Sequence, residues 1–414
     1  MPRVLSVFLV LLLSFPALAA PRRRAVDAPN APVPDSIVFV ASRAADHVEL
    51  SFAPRLHWEN AVYLDGLVLF GEQLNKRNAG SGDRFIERAA SIVLNSDDDI
   101  ANVYWGDGTA FVQAAMDLYR VLPANDPRRA ALLATATGPM QFAEHAIRDT
   151  PATSLPRDPW WLDGGYGTRF WQDDFYMLVP WLALYGSGRN GLPSNALARN
   201  LAYEWIEAYV HDHRTDPALA ASSSRRGLLL WDETTGLFQH APEMIGTTEW
   251  FWGRGNGWAL VALARASESL DAPYTAGRYE QVMTAGEIRT MLRRSAESLL
   301  ARRTPDGGWG SFLSNPAECP VAETSATALL TFFLARGINE GWLDRDIYQP
   351  VVMRAMTLLL QRVNASGVVT GIQPPGIGPA CATIASNDPV INVNYGPGAV
   401  LLAASEVLKF SSAP

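Results

Sequence analysis

The stretch WQDDFYMLVPWLALY, residues 171–185, decides the architecture. A tryptophan and two acids stand at the head of an apolar run whose spacing is helical from Asp173 to Tyr185. The same mixture of aromatics with Gly or Asp precedes other helical stretches, at 104–108 (YWGDG), 250–258 (WFWGRGNGW), 306–310 (DGGWG) and 394–398 (NYGPG). Solvated connectors do not need tryptophan. Loops of this kind, set between alternate helices, predict one face of a helical toroid that gathers stacking surfaces and carboxylates around a central pit.

Working outward, apolar residues recur at three- and four-residue spacing in about eleven stretches. These are 57–74, 85–94, 109–122, 128–147, 173–185, 196–210, 258–270, 285–301, 324–335, 348–363 and 398–408. No alternation of β-branched residues separates them. Residues 55–414 exceed the usual size of a single hydrophobic core, and paired helices closed into a ring resolve that, since each hairpin packs on its neighbours. The expected fold is all-α, an (α/α)₆ barrel of six hairpins over 55–414. Two smaller helical domains are the alternative, although no linker divides the chain.

The N-terminus reads as an export signal over residues 1–20, with Arg3, an apolar run at 4–13 and the small-residue site Ala17-Leu18-Ala19. A secreted or periplasmic protein is expected, with residues 21–54 a Pro- and Arg-rich leader holding one short strand at 36–40. No later run is apolar enough to span a membrane. A net charge of −8, from 34 basic and 42 acidic residues, gives no footprint for nucleic acid. An oxidising destination permits a bridge between the two cysteines, Cys319 and Cys381. Two free thiols are the alternative.

Three local constellations bear on chemistry. Either Asp173 or Asp174 suffices to cap a helix start. The other, crowded by a like charge and by Phe175 and Tyr176, would be pushed toward holding a proton at neutral pH, as a general acid must. Arg254, held between glycines among three tryptophans, offers a bidentate fork for a carboxylate, and tryptophan faces stack on sugar rings; the pair points to an acidic sugar. The competing reading has Arg254 propping its loop against an internal acid. His240 gains interest from preceding this loop. No metal or cofactor is expected, because the six histidines and two cysteines lack metal-ligand spacing. Glu323 most simply stabilises the first turn of the helix that follows.

Taken together, His57-Trp58-Glu59-Asn60, WQDDFYM, the LFQH and WGRGNGW segments, Glu323-Thr324-Ser325-Ala326-Thr327-Ala328 and Tyr395-Gly396-Pro397-Gly398 resemble the unsaturated glycuronyl hydrolases. These are glycoside hydrolase family 105 and its relative family 88. The resemblance implies an (α/α)₆ barrel without a metal. Its substrate would be an oligosaccharide ending in a 4,5-unsaturated uronic acid, the product of a lyase. An aspartate protonates C4, water adds at C5, and the hemiketal opens to release the sugar. Trp171 two positions before and Met177 four positions after place that acid at Asp173, with Asp174 its neighbour. His240, Arg254 and Trp258 match substrate-contact positions. The family's second aspartate transfers less cleanly; Asp107 is the first choice and Asp99 the reserve. An ordinary inverting glycosidase, a polysaccharide lyase or a non-catalytic glycan-binding protein would each be compatible with such a toroid.

Overall fold

The computed structural model describes residues 34–48, 56–96, 106–148, 172–211, 230–240, 251–275, 277, 279–375, 381–387, 389–390 and 393–411. The expected export signal, Asp99 and Trp171 lie outside the described residues. The chain forms α1 (Pro34–His47), α2 (Trp58–Arg77), α3 (Asp83–Leu94), a 3₁₀ turn at Gly106–Thr109, α4 (Phe111–Val121), α5 (Arg128–Ala134) and α6 (Thr137–Arg148). It continues with α7 (Asp173–Gly186), α8 (Ala196–Val210), a hairpin of β1 (Trp231–Asp232) and β2 (Leu237–Phe238), α9 (Gly253–Ser269) and α10 (Ala285–Ala301). The last elements are α11 (Thr324–Asn339), α12 (Arg345–Gln361), α13 (Cys381–Ser386) and α14 (Tyr395–Val407).

Among the described residues, six helices pack in a closed ring, α2 on α4, then α7, α9, α11 and α14, which returns to α2. The inner helices are buried on nearly every side; α9 is enclosed from Gly253 to Ser267. A helix without a polar face belongs inside. Outer helices cover them, α3 on α2 and α4, α8 on α7, α10 on α9, and α12 on α11 and α14. These are amphipathic, as in α3, which turns Phe85, Ile86, Ala89, Ala90 and Val93 inward. The expected (α/α)₆ barrel is the observed fold.

One expectation fails. Residues 36–40 are helical, within α1, and not a strand. The β-prone run Ile37-Val38-Phe39-Val40 suggested extension, but Ile37, Ala41, Ala44 and Ala45 share one helical face and are buried where α1 packs on α14 and α12. Tertiary burial overrides local propensity here. This helix supplies the outer layer beside α14, from inside the segment read as leader.

Side-chain caps mark some of the helix starts. Glu323 is the N-cap of α11, accepting from Ser325 N at 3.0 Å and Ala326 N at 2.6 Å. Thr284 and Glu287 form a capping box on α10. Cys319 and Cys381 are joined in a disulfide, tying the segment before α11 to α13.

All six inner helices run the same way. Their N-terminal ends bring Trp58, Tyr176, Trp258 and Tyr395 together. Their C-terminal ends surround a cavity of about 190 Å³ lined by Glu72, Asp117, Arg265, Arg336 and Glu406 among others.

A candidate active site at the N-terminal ends of the inner helices

Asp107 and Asp173 approach the same pit from adjacent ring positions. Asp107 lies in the 3₁₀ turn, which is tied to α7 by a hydrogen bond from Thr109 Oγ1 to the Met177 carbonyl at 2.7 Å. Asp173 opens α7. Burial, opposed by the positive charge of Arg254 and reinforced by the negative charge of Asp107, pushes the Asp173 carboxyl up to about 7. Burial also lifts Asp107 to about 6, with His57 opposing and Glu59 adding to the rise. The two acids therefore sense each other, and both can carry protons near neutrality. Asp174 turns away, accepting from Tyr209 Oη of α8 at 3.1 Å. The paired acids of the motif are thus divided between the pit and the outer layer.

His240 reaches the pit from the end of the β1–β2 hairpin. Asn256, in the first turns of α9, clamps that hairpin; its Oδ1 accepts from Phe238 N at 2.8 Å and its Nδ2 donates to the Phe238 carbonyl at 2.9 Å. His240 Nδ1 lies 3.5 Å from Asp173 Oδ2, and its ring meets Trp252 edge-on at 4.9 Å. Burial and the nearby Arg254 charge lower its pKa to about 4, so the imidazole is neutral at pH 7. Gln172 supports both neighbours, donating its backbone N–H to the His240 carbonyl at 3.0 Å. Gly255 lets Gln172 pack closely, because a Cβ there would lie 1.8 Å from Gln172 Nε2 and 2.7 Å from the Trp252 ring and would displace the Gln172 side chain.

Arg254 is enclosed at 1% exposure. Its guanidinium sits 4.5 Å from the Trp252 ring centroid and 4.9 Å from that of Tyr395. Its Nη1 donates to the Gln373 carbonyl at 2.7 Å and its Nη2 to the Pro374 carbonyl at 3.2 Å. Arg254 Nε is buried and finds no hydrogen-bond partner among the described residues. Among the described residues no carboxylate forms an ion pair with it, and the contacts that hold it are two backbone carbonyls, the Tyr395 hydroxyl at 3.4 Å and the two ring faces.

Trp258 is fully enclosed, with Tyr176 at 4.9 Å and Trp58 edge-on at 6.2 Å. It forms the floor under the pit rather than a face open to it. Trp58 is half-buried and stacks on Tyr395 at 5.0 Å, beside the hydrogen-bonded pair of His57 and Glu59. It is the better-placed ring for a ligand, and its place in the HWEN segment was the only signal for it. Glu323 is fully buried and turned to protein partners. Its carboxylate accepts from Ser325, Ala326 and the Gln373 backbone, which makes it a cap and an anchor. Among the described residues no cluster of three or more His, Cys, Asp or Glu is arranged to hold a metal ion.

The chain matches the family model of Glycosyl Hydrolase Family 88 over residues 37–411. An unsaturated 3S-rhamnoglycuronyl hydrolase from Formosa agariphila is 28% identical over 240 residues, 58% of this chain and 58% of that relative. The chain thus aligns with less than two thirds of that relative's length. A glycosyl hydrolase family 88 structure from Bacteroides vulgatus aligns with a TM-score of 0.64 at 23% identity, over 92% of this chain and 100% of the other. A polysaccharide lyase structure aligns with the same score and identity, over 92% and 99%. These two likenesses establish the fold. The family match, running from within α1 to the end of the described residues and containing every element of the pit, establishes that the chain belongs to glycosyl hydrolase family 88.

Proposed function

We propose that the protein removes a 4,5-unsaturated uronic acid from the non-reducing end of lyase-generated oligosaccharides, by hydrating the C4=C5 double bond. One observation carries this reading. Arg254 holds a buried positive charge without an ion-paired acid among the described residues, beside a neutral His240 and an Asp173 that is half-protonated at pH 7. A uronate carboxylate offers the Arg254 guanidinium the charge-assisted pair that no described residue gives it.

In this reading Asp173 gives its proton to C4. Positive charge then spreads over C5 and the ring oxygen, facing ionised Asp107. Water adds at C5, and the carboxylate left on Asp173 takes the proton that water releases. The resulting hemiketal opens and frees the sugar. The relative from Formosa agariphila, by its name a rhamnoglycuronyl hydrolase, favours a uronyl group joined to rhamnose. Residues 1–20 would direct the protein to the periplasm or beyond, where such oligosaccharides arise.

The test is the ultraviolet absorbance of the double bond, followed with lyase products of rhamnose-containing and glycosaminoglycan polysaccharides. Loss of absorbance is expected with the rhamnose-linked substrate. Absorbance rising on intact polysaccharide instead would mark a lyase, the second reading, which the lyase-named structural neighbour motivates. Sugar affinity without either change would mark a binding protein.

A further inference from the structure

Gln373 lies in the loop between α12 and α13, a stretch reading GIQPPG at 371–376 that carries no helical period or catalytic motif. It is 2% exposed and joins more of the pit than any candidate residue does. Its side-chain Oε1 accepts from Trp252 Nε1 at 3.1 Å and from Ser311 Oγ at 2.8 Å. Its carbonyl accepts from Arg254 Nη1 at 2.7 Å and from Tyr395 Oη at 2.6 Å. Its backbone N–H donates to Glu323 Oε1 at 2.9 Å. Both rings that sandwich the Arg254 guanidinium, Trp252 and Tyr395, are thus hydrogen-bonded to this one residue.

The loop is fixed on its other side by α11. Thr324 N donates to the Gly371 carbonyl at 2.9 Å and Thr324 Oγ1 to the Thr370 carbonyl at 2.7 Å. Gly371 takes a φ of 68°, a left-handed conformation that suits glycine, and this turn directs successive carbonyls to opposite sides. Those of Thr370 and Gly371 meet α11, and those of Gln373 and Pro374 meet Arg254.

A guanidinium whose partners among the described residues are neutral carbonyls, a hydroxyl and ring faces keeps its charge for a ligand. A partner carboxylate would hold it as firmly and neutralise it. The position of the charge then depends on whatever fixes the carbonyls. We propose that Gln373 is a positioning residue, which sets the Arg254 guanidinium against the carboxylate of the bound sugar. This rests on the uronate reading of the site. Catalytic effects fall steeply when a charged group is displaced by about 1 Å, and the Gln373 amide is a side-chain contact linking this loop to Trp252, the residue before α9, and to Ser311.

The test compares the wild type with Gln373→Leu, which keeps side-chain bulk and removes the acceptor. Ser311→Ala, which removes one of its two donors, serves as a milder variant that stays folded. Two readouts are used. The first is the NMR titration of His240, which burial and the Arg254 charge hold low, and which is read without turnover. The second is KM and kcat on an unsaturated uronyl-rhamnose disaccharide as the free acid and as its C6 methyl ester. With Gln373→Leu, His240 should titrate higher. KM for the free acid should rise by about tenfold or more, the loss of one charge-assisted hydrogen bond, with kcat changed less and the ester little affected. Ser311→Ala should move both readouts the same way by a smaller factor. Unchanged His240 titration and an unchanged ratio of acid to ester KM in a folded variant would overturn the proposal. So would equal losses on acid and ester, which mean general disruption. If the wild type turns over neither substrate while His240 still responds, the uronate reading falls and the positioning of Arg254 by Gln373 stands.

Discussion

The raised carboxyls of the pit dictate a narrow pH dependence. In the proposed reaction Asp173 must hold its proton and Asp107 must have lost it. With the first titrating near 7 and the second near 6, the productive fraction peaks near pH 6.5 at roughly 0.6. It falls to roughly 0.03 at pH 4.5 and at pH 8.5, a loss of about twentyfold on either side. Burial creates this activity. A carboxyl at its ordinary value of 3.8 would be protonated in about 0.2% of molecules at pH 6.5, against about three-quarters for Asp173. Because the two groups interact, the limbs report the pair, and single variants assign them. The assay is kcat/KM from absorbance loss between pH 4 and 9. In Asp107→Asn the acidic limb should vanish from the residual activity. The alkaline limb should also move to lower pH, since the Asp107 charge is one cause of the high Asp173 value. Asp173→Asn should lose at least a hundredfold, the usual contribution of a general acid. A profile flat to pH 8.5, an alkaline limb that moves upward in Asp107→Asn, or an Asp173→Asn enzyme retaining a tenth of its activity would refute the assignment.

The same burial affects stability. Folding disfavours ionised Asp173, so its cost is absent below about pH 4 and grows until about pH 7. Asp173→Asn should therefore raise the thermal midpoint by a few degrees at pH 8 and by less at pH 5; an equal change at both would contradict this. Arg265 spans Asp65, at 2.6 Å, and Asp117 across the barrel interior. Arg265→Met, which leaves both acids buried without it, should cost about 3–5 kcal/mol in denaturant unfolding, and a cost below about 1 kcal/mol would show that the network relaxes freely. Reducing the Cys319–Cys381 bridge, which encloses a separation of 62 residues, should cost up to about 4 kcal/mol. A melting curve unchanged by reductant would place the cysteines outside the cooperative unit.

The ring was legible because each of its elements is locally consistent. Apolar helices such as α9 and α14 announce burial, and the aromatic, Gly-rich starts announce a shared face. Asp173 and Asp107 could be proposed from sequence because each lies at the start of a helix or turn, where the fold delivers it to one end, and His240 because it precedes the segment that leads into α9. Other features were not. Residues 36–40 carry strand-forming side chains, and only the presence of α14 beneath them selects helix. Trp258 looked like a binding face, but a helix enclosed on all sides gives its tryptophan to the floor. The partners of Arg254 are backbone carbonyls more than a hundred residues away. Carbonyls have no sequence signature, so the part played by Gln373 could not be read in advance.

The direction of the inner helices accounts for the charges at both ends of the barrel. Six N-termini meet at the pit, and their partial positive charges favour an anion there. Arg254 adds a whole charge to that field, while Asp173 and Asp107 resist ionising within it only because burial outweighs it. At the opposite end six C-termini converge and favour cations. There Arg120, Arg265 and Arg336 line the cavity, together with Lys76 and Lys409, the two lysines of the whole chain. Each of these is paired with an acid, Lys76 to Glu72 at 2.8 Å and Arg336 to Glu406 at 2.6 Å among them. A basic lining that is paired throughout and set against helix C-termini balances the fold's own charges. Arg254, which forms no ion pair with an acid among the described residues, stands at the other end, where the helix dipoles already favour an anion, and that asymmetry supports the reading of the pit as the binding end.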